Sequence, residues 1–409
     1  MESQERQMRV TFITDRARSG TGPNRRVVGC LNAISSLKEV RLTLVAAEAD
    51  SSEPFASRLE RLVLGYRPHK LAYVLSNLWI IWRATRKCDI IYVSNGLHNF
   101  LYGWLFRRKR RKFIAGPSIT PIPFLCPPAD PNRLMTVNMV DTWIEQSEIR
   151  ALYTVSGGAG RDEFVVLRNC LDLAKFSPDR CDRRIWGTYG LDPLTPKIIF
   201  ASRRVFRPNS AHRDVKGTYV LLEAYRKVCQ AHTNVDLIVV GGPPYGEYKE
   251  KYGSTRGIHF LGPMDDDRLP IAYASSDVGC ITSVYEGSCW TGTEMFASGL
   301  PLVSSKVGIM PELIEHGVSG LLFELFPRLG QEPYDDASDR LATAVRVLLE
   351  DREYAKLLGK NGRKQAVEKL SVGSFAAQLL AVFRSVVAGG RTPWPQAATG
   401  GVRSESREL

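Results

Sequence analysis

The chain has 409 residues, of which 44% are hydrophobic and 24% are charged. These fractions lie near globular averages and exclude wholesale disorder or a fibrous repeat, and the length predicts two domains. The net charge is +12, and residues 1–178 hold 26 Lys and Arg against 16 Asp and Glu, so most of the basic excess lies in the first half and predicts an anionic partner there.

Apolar strands alternate with helical segments through the first half of the chain. The first residues are polar and run directly into a buried strand, so no signal peptide is expected. A loop containing Gly20 and Gly22 follows that strand. The sequence predicts strands at 9–14, 40–47, 89–94, 112–115 and 153–156, and helices at 24–37 and 71–87.

The pattern restarts after a Pro- and Arg-rich stretch at 177–197. The second half is predicted to hold strands at 197–201, 236–240, 259–261, 278–282 and 302–304, and helices at 218–232, 268–274, 291–298, 336–370 and 374–387. This alternation predicts an α/β protein of two doubly wound, Rossmann-like domains facing a cleft, with ligands beyond the carboxyl ends of the strands. We expect domains at 1–180 and 181–370, a helix at 371–388 packing back toward the first domain, and a disordered tail at 389–409.

The chemistry concentrates in residues 281–324. A strand ends near Ser283, a turn with Glu286 and Gly287 follows, and a short helix is predicted to start near Trp290 or Thr291, with Glu294 in its first two turns. A helix N-terminus presents free N–H groups and a positive dipole end, which suits a phosphate. Two carboxylates beside it are able to accept hydrogen bonds from sugar hydroxyls. Two surface glutamates on a strand–loop–helix unit are the simpler interpretation of the pair alone.

The same segment resembles the signature of retaining glycosyltransferases of family 4, which have the GT-B fold. The resemblance rests on Glu286 and Glu294 with seven residues between them, followed by the motifs at 297–301, 307–312 and 317–322. It implies that Glu286 contacts the donor sugar and Glu294 the ribose. It also implies an N-terminal domain that binds the acceptor and a C-terminal domain that binds a nucleotide sugar.

A basic pair before this segment resembles the one with which the family holds the donor diphosphate. Arg203 and Lys216 stand in that place, and a guanidinium and an ammonium are suited to clamping two phosphates. Ser202 replaces the family's glycine, and the gap from Arg203 to Lys216 is longer than usual. Arg203 is therefore the first candidate for the clamp and Arg204 the second.

Further positions match the family less closely. Gly241 and Gly242 resemble a strand-end loop near the nucleotide, and Gly262 the loop against which the base rests. Gly20 and Gly22 are candidates for backbone contact with the donor phosphates or the acceptor, although a glycine turn is also common without a ligand. His98 is a candidate near the reacting sugar, although a lone loop histidine is more often structural. The donor-binding residues expected around the short helix are Gly287, Ser288, Cys289, Trp290 and Thr291.

The resemblance implies a retaining transferase that moves a sugar from a UDP- or GDP-sugar to a lipid-linked or polysaccharide acceptor in cell-surface glycan synthesis. No cofactor and no metal are expected, since side chains and a helix end supply the positive charge. The alternatives are transfer to a small soluble acceptor, a GT-B epimerase or phosphorylase, and a catalytically silent partner subunit.

A basic run at 107–112 follows Trp104, Leu105 and Phe106. Aromatic residues beside a basic cluster suit an anionic membrane surface, and the alternative is a solvated basic turn on a packed helix. Nucleic acid is not expected as a partner, because no known binding module is present. The eight cysteines form no CxxC pair, and no apolar run approaches 18 residues, so nothing is expected to span a bilayer. The expected location is cytoplasmic and peripheral on a membrane.

Overall fold

The computed structural model describes residues 6–17, 22–50, 55, 60–63, 70–94, 97–107, 111–116, 142–145, 164–204, 214–242, 250–284, 286, 288–325 and 334–389. The chain divides into two compact units. Unit 1 comprises Met1–Arg168 and Phe375–Leu409, and unit 2 comprises Asn169–Ser374.

Unit 1 contains a seven-stranded parallel sheet. Its strands are β1 (Met8–Ala17), β2 (Val40–Ala49), β3 (Glu60–Val63), β4 (Ile90–Val93), β5 (Lys112–Ala115), β6 (Thr142–Glu145) and β7 (Phe164–Val166). Its helices include α1 (Gly22–Ser36), α2 (Lys70–Thr85) and α3 (Leu97–Phe106). The strand order is β3-β2-β1-β4-β5-β6-β7. Strands β2 and β3 therefore lie on one side of β1, and β4 to β7 lie on its other side.

The central strands of unit 1 are apolar on both faces. All four residues of β4 are buried, and Val10 of β1 lies between Leu42 of β2 and Ile90 of β4. The rings of Phe12 and Tyr92 meet edge to face with their centroids 4.8 Å apart. A strand buried on both faces needs an unbroken apolar run, which is why alternation is missing from this part of the sequence.

Unit 2 contains a six-stranded parallel sheet. Its strands are β8 (Lys197–Arg204), β9 (Asp236–Gly242), β10 (Ile258–Gly262), β11 (Val278–Ile281), β12 (Leu302–Ser305) and β13 (Leu321–Phe323). Its described helices include α4 (Thr218–Cys229), α5 (Arg268–Ala274), α6 (Trp290–Ala297), α7 (Met310–Leu313), α8 (Tyr334–Glu350) and α9 (Arg352–Leu370). The strand order is β10-β9-β8-β11-β12-β13.

Apolar side chains fill both faces of this second sheet. One core contains Val239 of β9 with Leu222 of α4 and Leu341 of α8. The other contains Ile238, the neighbour of Val239, with Phe296 of α6. Adjacent residues of one strand therefore supply opposite cores, as the twofold period of a strand requires.

The last described helix, α10 (Val372–Val387), lies mostly in unit 1. Its Phe383 ring is 6.3 Å from that of Tyr92, and Arg384 pairs with Glu39 at 3.6 Å. By length and composition alone, one helical run among the described residues, Arg352–Val387, is apolar enough to cross a membrane, and 44% of its most apolar window is buried. The expectation that nothing in the chain spans a bilayer stays a prediction, because this criterion rests on length and composition only. Core helices of soluble proteins meet the same criterion.

The sequence predicted most of these elements. The strands expected at 9–14, 40–47, 89–94 and 112–115 and the five expected in the second half are confirmed. The strand expected at 153–156 and the tail at 389–409, beyond residue 389, lie outside the described residues. The short strands β3, β6, β7 and β13 were not predicted.

Candidate active site

The candidate site lies where the strand order of unit 2 reverses. From β8 the chain crosses to β9 on one side, whereas β11 adds on the other side of β8. The crossovers leave a gap above the carboxyl ends of β8 and β11, which is where doubly wound sheets bind ligands. Lys216 follows β8, and Glu286 follows β11.

A glycine holds the two loops together at this point. Gly217 has a φ of +63°, and a Cβ atom on it would lie 1.8 Å from the carbonyl oxygen of Thr282. The Thr282 hydroxyl donates to the Lys216 carbonyl at 2.9 Å, and the Val284 N–H donates to the Val215 carbonyl at 2.9 Å. The loop after β8 is thus fixed to the loop after β11 by backbone contacts that leave no room for a side chain at residue 217.

Lys216 and Glu286 form an ion pair across these loops. The Ser283 hydroxyl donates to the same carboxylate oxygen, Oε1 of Glu286, at 3.0 Å. Burial lowers the pKa of the Lys216 ammonium, but the Glu286 carboxylate, with smaller contributions from Cys289 and Asp214, raises it, so this pKa lies above its ordinary value. Lys216 is therefore charged at neutral pH. Its side chain remains 32% exposed, and an ammonium has three N–H donors, so donors remain for a ligand.

The N-terminus of α6 begins beside this pair. Cys289 precedes it with a φ of 41° and gives the helix no side-chain cap hydrogen bond, and the first N–H groups of a helix have no partner within the helix itself. Burial, followed by the charge of Glu286, raises the pKa of the Cys289 thiol, which keeps it neutral. Ser288 is buried, whereas Trp290 and Thr291 are half-buried. The predicted helix start near Trp290 is confirmed.

Glu294 lies in the second turn of α6 and is only 1% exposed. The Tyr273 hydroxyl donates to its Oε2 at 3.5 Å. Glu294, the second carboxylate of the sequence motif, is therefore buried inside unit 2, whereas Lys216 and Glu286 are only half-buried. Its contact with a ribose stays a prediction.

The remaining predicted residues divide between the two units. Gly241, with a φ of 144°, Gly242 and Gly262, with a φ of +76°, stand at the carboxyl ends of β9 and β10, on the same edge as Lys216. Arg203 and Arg204 end β8, and their side chains lie outside the description. Gly22 starts α1 and His98 is in α3, both in unit 1 and both described by backbone alone. Gly20 and Gly287 lie outside the described residues.

Sequence reasoning did not find three residues that organise the site. Ser283 orients Glu286, Tyr273 contacts Glu294, and the Ser305 hydroxyl donates to the Ser283 carbonyl at 2.8 Å. Ser283 directly follows a predicted strand, so its position at a strand end was a usable signal. Tyr273 belongs to another helix, and only the fold brings it near. Within the described part of the chain, no group of three His, Cys, Asp or Glu side chains is placed to hold a metal.

Comparison with known proteins finds one family model that matches part of the chain. Residues 208–365 match the family of glycosyl transferases, group 1. The matched segment contains Lys216, Glu286 and Glu294.

Two curated relatives are similar to part of the chain. MMP alpha-(1->4)-mannosyltransferase of Mycolicibacterium hassiacum is 32% identical over 45% of this chain and 44% of its own length. D-inositol 3-phosphate glycosyltransferase of Corynebacterium glutamicum is 28% identical over 56% of this chain and 53% of its own. The chain thus spans about half the length of the curated relatives it matches.

A solved structure extends the likeness to the whole fold. HepE of Anabaena, solved in complex with UDP and glucose, is similar with a TM-score of 0.69 at 20% identity, covering 92% of this chain and all of that one. Together with the two parallel sheets, this confirms the predicted α/β, GT-B class with two Rossmann-like domains. At this identity the likeness speaks for the fold alone.

Proposed function

We propose that the chain is a retaining glycosyltransferase that moves a sugar from a UDP- or GDP-sugar to a lipid-linked or polysaccharide acceptor in cell-surface glycan synthesis. The observation that carries the proposal is the Lys216–Glu286 pair, which lies at the strand reversal of a group 1 domain beside the uncapped start of α6. The relatives' names, a mannosyltransferase and an inositol phosphate glycosyltransferase, support sugar transfer. The UDP and glucose in the HepE structure support a nucleotide-sugar donor.

In the proposed reaction, the bond between the sugar C1 and the diphosphate oxygen breaks, and the diphosphate gains negative charge. Lys216, the start of α6 and either Arg203 or Arg204 stabilise that charge. The acceptor hydroxyl attacks C1 on the same face, which retains the configuration, and its proton passes to the departing phosphate. Glu286 holds the donor sugar while it orients Lys216, and Glu294 binds the ribose.

Donor binding tests this proposal most directly. Thermal unfolding of the full chain is measured with UDP, GDP and a panel of their sugars, with adenosine diphosphate as the control nucleotide. A ligand at one hundred times its dissociation constant adds about 2.7 kcal/mol of stability, so a cognate nucleotide is expected to raise the melting temperature clearly. If no uridine or guanosine nucleotide stabilises the folded chain, the proposal fails. Binding without release of nucleoside diphosphate would instead favour the silent partner subunit.

The stereochemical outcome is a separate test. With the cognate donor in hand, the anomeric configuration of the product is read by NMR before any equilibration. Retention is expected, because the proposed attack and departure share one face of the sugar. An inverted product would exclude the same-face mechanism and would leave the assignment as a glycosyltransferase intact.

Metal independence is a further expectation. The positive charge at the proposed diphosphate site comes from the Lys216 ammonium and the start of α6 rather than from a divalent ion. Transfer by purified protein is therefore expected to keep its rate in excess EDTA, measured against the same sample with added Mg²⁺ or Mn²⁺. Activity that disappears with the chelator and returns with either ion contradicts this expectation.

We also propose a cytoplasmic location at the surface of a membrane. The support is the basic excess of residues 1–178 and the run at 107–112, of which 108–110 lie outside the described residues. Arg111 donates to the Phe106 carbonyl at 3.2 Å and so closes the end of α3. Part of this basic run therefore has a structural contact besides its proposed attraction to anionic headgroups.

A further inference from the structure

One face of α2 leaves two tryptophan side chains in the open. Trp79 is 63% exposed and Trp82 is 44% exposed. They share that face with Leu75, Arg83 and Arg86, because residues three, four and seven apart fall on one side of a helix. We call these five residues the tryptophan face. Isolated exposed apolar residues are ordinary, whereas three on one helical face call for a partner.

Each tryptophan of this face lies beneath a guanidinium one turn further along the helix. The Cζ atom of Arg83 is 5.7 Å from the Trp79 ring, and that of Arg86 is 5.5 Å from the Trp82 ring. Both distances are within the range of a cation–π interaction. The face therefore presents two indole rings, each with a positive charge against it, side by side on one helix.

The opposite side of α2 fixes this orientation. Asn77 is buried and hydrogen-bonds to Tyr102 of α3, and the Thr11 hydroxyl of β1 donates to the Ala84 carbonyl at 3.0 Å. Thr85 and Ile81 are also buried. With its inner side fixed to α3 and the sheet, the helix cannot roll its tryptophans inward without breaking these contacts.

The neighbouring helix extends the same character. Trp104 and Leu105 of α3 are 41% and 53% exposed. They follow Gly103, where a Cβ atom would lie 2.2 Å from the Phe113 ring of β5, so α3 lies tight against the sheet at that point. Helix α2 leads into β4 and α3 leads into β5, so the two connections run in the same direction along the sheet. Right-handed connections that run in the same direction place their helices on the same side of a sheet, and α2 and α3 contact each other.

The charge around these helices indicates which kind of partner covers the tryptophan face. Residues 70–112 include ten Lys and Arg and a single acid, Asp89. That acid accepts hydrogen bonds from the backbone of Arg9 at 2.9 Å and from the Arg6 side chain at 3.0 Å. A second copy of this chain would bring like charges together, whereas an anionic bilayer offers negative headgroups to the arginines and an interface in which indole rings are stable.

We infer that the tryptophan face is the part of the chain that enters an anionic lipid bilayer, with Trp104 and Leu105 beside it. The inference rests on the proposed membrane location and names the surface that produces it. Trp79 and Trp82 place their rings at the level of the headgroups, and Arg83 and Arg86 pair with lipid phosphates. The helix lies on the membrane surface and does not cross it.

Flotation of the full chain with vesicles tests this inference. Vesicles of phosphatidylcholine with phosphatidylglycerol are compared with phosphatidylcholine alone, at low and high salt and without any nucleotide. The wild type is expected to float with the anionic vesicles at low salt and to be released by salt. Trp79→Ala with Trp82→Ala is expected to lower the partition coefficient at least about tenfold, since each indole buries a large apolar surface. Arg83→Gln with Arg86→Gln is expected to lower it about fivefold for each charge removed.

The matched control removes exposed apolar side chains from unit 2. Leu357→Ala with Val367→Ala changes two residues of α9 that are 52% and 45% exposed, and it should leave flotation unchanged. Wild-type protein that ignores anionic vesicles at low salt overturns the inference. So does a tryptophan variant that floats like the wild type, because charge alone would then attract a polyanion such as RNA equally well. The inference is also overturned if the wild type is a dimer, the tryptophan variant is a monomer and neither protein floats.

A second readout separates this inference from the proposed enzymatic function. The tryptophan variant should keep the melting temperature and the nucleotide response of the wild type, because the replaced rings are exposed and belong to unit 1. A chain that floats but binds no nucleotide would remove the proposed transferase and leave the membrane surface standing.

Discussion

Lys216→Ala is expected to reduce sugar transfer by a hundredfold or more while the protein stays folded. The ammonium is held by Glu286 at the strand reversal, where a departing diphosphate would need a positive charge. Removing one such stabilising donor costs about 3–4 kcal/mol of barrier, which corresponds to the expected loss of rate. The rate is measured as release of nucleoside diphosphate under saturating donor, beside a melting curve of the same preparation.

Lys227 offers a closely matched control. It also lies in unit 2, in the last turn of α4, whereas Lys216 lies just before the first turn of that helix. Its side chain is 31% exposed, and it pairs with Asp339 at 2.7 Å. Lys227→Ala therefore removes a comparable ion pair away from the site and should keep near-normal transfer. If Lys216→Ala turns over as fast as Lys227→Ala, the ammonium does not serve the reaction and the assigned role is wrong.

Gly217→Ala is expected to destabilise unit 2 by about 3 kcal/mol or more and to remove most transfer activity. Two effects add at this residue, since its φ is +63° and the new Cβ would lie 1.8 Å from the Thr282 carbonyl oxygen. A backbone carbonyl cannot rotate away as a flexible side chain would. The loops carrying Lys216 and Glu286 must therefore move apart. Urea denaturation and transfer assays measure the two effects.

Gly190→Ala isolates the conformational part of this effect. Gly190 has a φ of +72°, but nothing lies within 4 Å of a Cβ atom built on it. The variant should lose only about 1 kcal/mol, the ordinary cost of a left-handed alanine, and should keep its activity. Equal losses in Gly217→Ala and Gly190→Ala would mean that the contact with Thr282 relaxes easily and does not position the Lys216–Glu286 pair.

The sequence pointed to residues of the candidate site but not to their arrangement. Lys216 and Glu286 were each predicted to act on the donor, but 70 residues separate them, and only the adjacency of β8 and β11 shows that they form an ion pair. Their predicted roles rest on residue type and motif spacing, which a linear chain displays. Their contact depends on strand order, which it does not display.

The burial of α6 could not be predicted from the hydrophobic pattern of the sequence. Residues 292–297 are all buried, so this helix has no polar face and lacks the 3.6-residue period by which one side is told from the other. Glu294 could therefore be read as a surface carboxylate, although it is enclosed beside Tyr273. The left-handed conformation at Cys289 was equally hidden, because a cysteine gives no signal of positive φ as a glycine does.

The return of α10 to unit 1 reverses the order in which the two halves of the chain are finished during translation. A ribosome releases residues 1–168 first, yet the buried set of unit 1 includes Phe375, Leu379 and Phe383, which are made after all of unit 2. At about 5–20 residues per second, the intervening segment delays these side chains by roughly 10–40 s. Unit 2 is continuous in sequence, so all of its residues are present once it has emerged, whereas the unit that is synthesised first is completed last.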